Sequence, residues 1–227
     1  MTIVAIHQPN YIPWIGYFDK MAHADVFVFL DTVEYSHGSV INRNKIRNAS
    51  GWNWLTIPVN KNDTNKSICE VGFADDRWWT KHWTALQGSY SKADYFSEYS
   101  PYFSNLYAEK RYYNIADLNI DIIKYLVDAF NIHVKFVRSS EMEIDHALHK
   151  NDLLIDILQK LDADTYVAGT GCKDYMSDDL FAMNGIDVIY NKFEPFVYKQ
   201  RWFGFEPYMS AVDLLFNEGD ECTIYFE

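Results

Sequence analysis

The stretch DVFVFLD, Asp25 to Asp31, narrows the possible folds of this chain more than any other feature. A strand with one wet face alternates apolar and polar residues. A strand that is apolar at every position is covered on both faces, as in parallel sheets flanked by helices. Ile3 to Ile6 reads as a buried first strand, and TYVAGTG, Thr165 to Gly171, as a strand entering a Gly-rich turn. HVKFVRSS, IDVIYNKF and WNWLTIPV read as further strands, the last stopped by Asn60 before the polar loop NKNDTNK.

Helical patterns separate these runs. One covers about Ile15 to Ala24, with Phe18 and Met21 on one face. In NIADLNIDIIKYLVDAFNI, Leu118, Ile122, Leu126 and Phe130 recur every four residues beside Ile115, Ile123 and Val127, which makes a wide apolar face. Asp117 suits the positive end of that helix. NDLLIDILQKLDA is a further helix, and SDDLFAMNG a short one closed by Gly185. Strands alternating with helices predict an α/β fold. Its mainly parallel central sheet is flanked by helices, with a helical insertion at about 76–130. No repeat or linker divides residues 1–227, so one domain is expected.

The composition removes some functions. A net charge of −12 lacks the basic face of a general nucleic-acid binder. No apolar run approaches the roughly 20 residues of a membrane span, and no basic n-region follows Met1. Cys69, Cys172 and Cys222 are too few and too scattered for a disulfide framework. A cytoplasmic protein with reduced thiols is expected. His146 and His149 stand three apart, but no third ligand with clear spacing accompanies them, so no metal is expected. No cofactor is expected either.

In open parallel sheets, ligands bind at the carboxyl ends of strands. The first strand ends in HQPNY, the second at Asp31 with Glu34 and Tyr35 beyond, and the strand from Thr165 in GTGCKDY. His7, with a side chain that titrates near neutrality, is a candidate general base. Asp31 or Glu34 is the candidate to orient it, and Gln8, Asn10, Tyr11, Trp14 and Tyr17 are candidate ligand contacts. The segment Ser36 to Lys66 holds five basic residues and one acidic one, a basic island in an acidic chain. Asn42, Arg43 and Lys45 there suit phosphate or carboxylate oxygens. Gly169, Thr170 and Gly171 allow close backbone approach, and their amides are candidate oxyanion donors. Lys173 adds charge, although the P-loop spacing is absent. Tyr175 and Gln200 complete the set of candidate contacts. Cys172 reads as an inert thiol rather than a nucleophile. Met209, Val212, Leu215 and Phe216 fit a buried helix face. Ser210 lacks a nucleophile elbow.

HQPNYIPWIGYFDKM, INRNKI, WLTIPV and GFEPYMSAVDLLFNEG together resemble the WbqC-like family, from His7 to about Gly219. KDYMSDDLF and GIDVIY resemble the segment before that family's final motif, with Cys172 where a small residue is expected. The resemblance implies a role in bacterial surface-polysaccharide biosynthesis, including O-antigen, and a glycine transferase role. Transfer of an aminoacyl or acyl group to the amine of a nucleotide-linked amino sugar needs an anion site, aromatic surface and a base. The basic island, the 17% aromatic content and His7 suit those needs. The implied partners are that sugar and an acyl or aminoacyl donor such as a carrier-protein thioester. Two alternatives stand beside this. One is a nucleotidyltransferase of the HIGH type that uses ATP, although HQPNYIPWIGY lacks the second histidine of HxGH. The other is a non-catalytic module that binds a nucleotide sugar or, through the acidic tail after Phe205, a partner enzyme.

Overall fold

The computed structural model describes residues 1–109, 111–145, 147–174 and 176–226. Its centre is a five-stranded, all-parallel sheet of β1 (Ile3–His7), β2 (Val26–Phe29), β5 (Lys135–Arg138), β6 (Thr165–Gly169) and β7 (Asp187–Asn191), in the spatial order β5-β2-β1-β6-β7. Strand β1 pairs with β2 from Val4↔Val26 to His7↔Phe29, and with β6 from Ile3↔Thr165 to Ala5↔Val167. The chain therefore leaves β1 toward one edge and returns to fill the other, and the order reverses between β1 and β6.

The apolar strands are covered on both faces, as their sequence requires. Val4, Ile6, Val28, Tyr166 and Ala168 pack on one side with Leu154, Ile157 and Leu158 of α5 (Lys150–Lys160) and Phe181 of α6 (Asp178–Met183). Ala5, Phe27, Phe29 and Val167 point the other way, toward Phe18 and Met21 of α1 (Ile15–Ala22) and Ile123, Leu126 and Val127 of α4 (Ile115–Ala129). Gly185 follows α6 at φ +74°, the left-handed conformation that ends a helix and favours glycine.

The helical middle of the chain is α2 (Arg77–Tyr90), α3 (Phe96–Glu109) and α4. Asn114 caps α4 by accepting a hydrogen bond from the Asp117 amide at 2.8 Å. One element was not expected. WNWLT does form a strand, β4 (Gly51–Thr56), but it lies outside the main sheet. It pairs antiparallel with β3 (Arg43–Asn48) in a separate hairpin. The polar, charged run RNKIRN gives no apolar signal, and only its pairing makes it a strand. The last helix, α7 (Ala211–Glu218), is buried through Val212, Leu215 and Phe216, with Met209 just before it. Among the described residues no helix is long and apolar enough to cross a membrane.

Candidate functional site

Ligands of open parallel sheets sit outside the carboxyl ends of the strands, at the reversal of strand order. Here that place is the tip of β1 and β6, and His7 stands in it. Two cavities meet at His7. The first, about 260 Å³, opens on the α5 side and is largely apolar: Ile6, Leu30, Val33, Leu153 and Leu154, with Gln8, Lys150, Tyr166 and Cys172. The second, about 220 Å³, lies between α1 and the β6 tip, lined by Trp14, Gly16, Tyr17, Lys20, Gly169, Thr170, Gly171, Asn191 and Phe193.

The loop between β1 and α1 is what aims His7. Ile12 sits at φ +34°, a conformation that costs a β-branched residue energy. Its carbonyl is held by Asn44 Nδ2 at 2.9 Å and by Ser210 Oγ at 2.7 Å. Past the loop, Trp14 folds its indole over Gly16. A Cβ at that glycine would lie 2.3 Å from the ring, so only glycine fits there. Trp14 is itself wedged against Phe193 and Tyr208. Tyr17 donates to the Gln8 carbonyl at 3.1 Å and presents its ring 4.8 Å from that of His7.

Part of His7 faces the cavities, while its Nδ1 is buried and, among the described residues, has no hydrogen-bond partner. Burial pulls its pKa well below the ordinary 6.5, and the nearby Lys20 charge pulls the same way. The ring is neutral at pH 7, with both a lone pair and a proton to offer. Lys20 was not anticipated. It is only 5% exposed, and its ammonium donates to the Ile6 carbonyl at 2.8 Å. Among the described residues it has no carboxylate partner within ion-pair distance. Burial lowers its pKa to about 8, opposed by the Cys172 sulfur. The sequence did carry a clue, because Lys20 lies four residues after Gly16 and three after Tyr17, on the face of α1 that turns toward the sheet.

The remaining candidates separate by where the structure places them. Gln8, Trp14, Tyr17, Gly169, Thr170 and Gly171 line the two cavities with His7. Glu34 lines an adjoining cavity of about 170 Å³ with His149 and Leu153. Lys173 lies over the Tyr190 ring at 4.6 Å, in a surface depression with Asp178 and Asp179.

Other candidates hold the protein together instead. Asp31, expected to orient His7, is 0% exposed and turns toward the β5 tip. Its carboxylate accepts from Arg138 Nε and Nη2 at 3.0 and 2.8 Å, from the hydroxyls of Ser139 and Ser140, and from the Ser140 amide. No hydrogen bond joins it to His7 among the described residues. Tyr11 is core, its hydroxyl 2.7 Å from His82 Nδ1 and 2.5 Å from the Tyr107 hydroxyl. Asn42 is buried and donates to the Ile57 carbonyl at 2.9 Å. Gln200 is engaged by Arg47, Glu206, Tyr198 and Asp213. Asn10 is buried, its Oδ1 has no hydrogen-bond partner among the described residues, and it borders neither cavity.

The basic island lies on the hairpin. Arg43 stacks on Trp54 at 4.5 Å and Lys45 on Trp52 at 4.2 Å. Neither lines the cavities at His7. Tyr175 and His146 lie outside the described residues. Among the described residues no cluster of three His, Cys, Asp or Glu side chains could hold a metal ion.

The model of the WbqC-like protein family matches residues 8–225. A Mycobacterium tuberculosis protein described as uncharacterized is 34% identical over 227 residues, which is 99% of this chain and 97% of that protein. No solved structure is significantly similar. The chain belongs to the WbqC-like protein family.

Proposed function

We propose that this WbqC-like protein is a cytoplasmic transferase of surface-polysaccharide biosynthesis, including O-antigen. In this reading residues 1–227 act as one domain and move an aminoacyl group (glycine) or an acyl group onto the amine of a nucleotide-linked amino sugar. The observation that carries it is the placement of a neutral His7 between an apolar cavity and one that holds a buried cation. The two cavities suit the two ends of such a reaction. An acyl chain or carrier arm from a thioester fits the apolar side, and a phosphorylated sugar fits the side of Lys20.

The chemistry needs few groups. The amine nitrogen attacks the donor carbonyl, a C–N bond forms, and the bond to the leaving thiol or alcohol breaks. His7 takes the proton the amine loses and returns it to the leaving group. Such a base contributes ~10²–10⁴-fold to rate. The backbone at Gly169–Gly171 borders the same cavity and is the candidate oxyanion donor. The test is amide formation followed by mass spectrometry, with nucleotide-linked amino sugars and aminoacyl or acyl donors. His7→Asn should bind the sugar but lose most turnover. Wild-type turnover in the variant rejects the catalytic role.

A second reading is supported by the succession of β1, His7 and α1 at the reversal of strand order, which also suits ATP-dependent nucleotidyl transfer. Release of pyrophosphate from ATP, dependent on His7, is its signature. If the sugar binds and neither product forms, the protein is a nucleotide-sugar-binding module.

A further inference from the structure

We infer that the cavity between α1 and the β6 tip is a phosphate subsite in which Lys20 is the counter-ion of the ligand. This rests on the proposed function only for what carries the phosphate, since the site is argued from the cavity itself. Four features converge on it.

The first is an unbalanced cation. Lys20 is 95% buried by its 5% exposure, lines the cavity, and has one described acceptor, the Ile6 carbonyl, for its three N–H groups. Buried ammonium groups are ordinarily paired with a carboxylate. An anion from outside completes this one. The second feature is a pair of glycines that the fold itself does not require. Gly169 sits at φ −75° and ψ 150°, which any residue adopts. Gly171 is not among the residues with positive φ, and a Cβ at either position would meet nothing within 4 Å. Neither backbone conformation nor packing accounts for them, but close approach of a ligand does. The third is His7, which lines the same cavity and whose buried Nδ1 has no hydrogen-bond partner among the described residues. The fourth is the charge around the cavity. Asp19, next to Lys20 in sequence, accepts from Asn191 Nδ2, a residue of the cavity lining, at 2.8 Å and makes no ion pair with Lys20 among the described residues. Lys20 acts electrostatically on His7 of β1, and Cys172 after β6 acts on Lys20. Arg43 and Lys45, the basic residues that looked like the anion site in the sequence, stack on tryptophans elsewhere.

Inorganic pyrophosphate is the probe, titrated calorimetrically at pH 7 into the intact chain. Wild type should bind it. Lys20→Met should weaken binding by ~10–100-fold, the weight of one charge-assisted hydrogen-bonding partner. Gly171→Val, which fills the cavity and leaves Lys20 in place, should weaken it as well and controls for the fold. Arg43→Ala combined with Lys45→Ala should bind as wild type does. Sulfate, which does not titrate near pH 8, supplies a second readout in two buffers of different ionisation enthalpy. Wild type should take up a proton fraction on binding at pH 8, and Lys20→Met none. No binding of either anion by wild type overturns the inference. So does unchanged affinity in Lys20→Met, or loss of binding only in the Arg43/Lys45 variant. Because no nucleotide sugar or donor is present, these outcomes are separate from failure of the transfer reaction.

Discussion

Replacing Lys20 by Met should make the protein more stable at pH 7, which is the opposite of what most core substitutions do. The side chain is 5% exposed, and burial brings its pKa from 10.5 to about 8. At 1.36 kcal/mol per tenfold change in proton affinity, keeping that ammonium charged inside the fold costs about 3 kcal/mol. Methionine has similar length and carries no charge. It leaves the Ile6 carbonyl without the Nζ–H it accepts at 2.8 Å, a loss of about 1–2 kcal/mol. The net expectation is a gain of about 1–2 kcal/mol, or ~2–8 °C in Tm for a chain of this size. The gain must also depend on pH in a particular way. Below pH 8 Lys20 is protonated in both states, and the wild type carries the full penalty. Between about 8 and 10.5 the unfolded chain binds more protons than the folded one, so wild-type stability rises with pH. The advantage of Lys20→Met is therefore full at pH 7 and fades toward pH 10.5. Guanidinium denaturation of both proteins at pH 7 and pH 10 measures it. A variant less stable than wild type at pH 7, or a gain equal at both pH values, refutes the reasoning.

Burial holds His82 at a pKa of about 4, so its share of stability, about 3 kcal/mol, is present above pH 6.5 and lost as pH falls toward 4. Asp213, raised by burial to about 6, acts in the opposite direction over much of that window, so the test is the difference between wild type and His82→Gln. The variant should lose less stability on acidification, and parallel pH curves reject the assignment. Arg138→Met strands the fully buried Asp31 carboxylate and should cost about 3–5 kcal/mol, largely recovered when Asp31→Asn is added. A loss below about 1 kcal/mol in chemical denaturation shows the pair to be dispensable. His7→Asn should leave the denaturation midpoint near wild type or higher at pH 5, because it removes a ring that the fold keeps unprotonated. A midpoint well below wild type assigns His7 to the core instead of the cleft.

The sheet was legible in the sequence because burial on two faces leaves a local mark. Val26 to Phe29 are apolar without interruption, and the β1 tip announces itself where apolar residues give way to His7 and Gln8. The last helix was legible for a similar reason, since its spacing puts Val212, Leu215 and Phe216 on one side. What was not legible depends on partners far along the chain. Asp31 looked free to orient His7, but Arg138 lies 107 residues away and takes its carboxylate. Tyr11 looked like a ligand contact, but His82 and Tyr107 close around its hydroxyl. Arg43 and Lys45 looked like an anion site because the hairpin that lays them on Trp54 and Trp52 leaves no apolar periodicity in RNKIRN. Lys20 is hard to read as buried from the sequence, because a lysine in an amphipathic helix ordinarily faces water.

The carbonyl that Ser210 clamps belongs to a residue 198 positions earlier, and the next amide, of Ala211, donates to the Pro13 carbonyl at 2.7 Å. At ribosomal speeds of roughly 5–20 residues per second, about 10–40 s separate the synthesis of Ile12 from that of its clamp. Throughout that interval the positive φ of Ile12 has nothing from the chain's far end to hold it. β1, the middle strand of the sheet, also waits for β6 to cover its second edge. The β1–α1 segment, made well before its clamp, is thus among the last to take its final shape. A metabolite cannot template that segment on a nascent chain, because the walls that would grip it are not yet made. A ligand meets this cleft only once Gly169–Gly171, Asn191 and Phe193 have been made and have folded against His7.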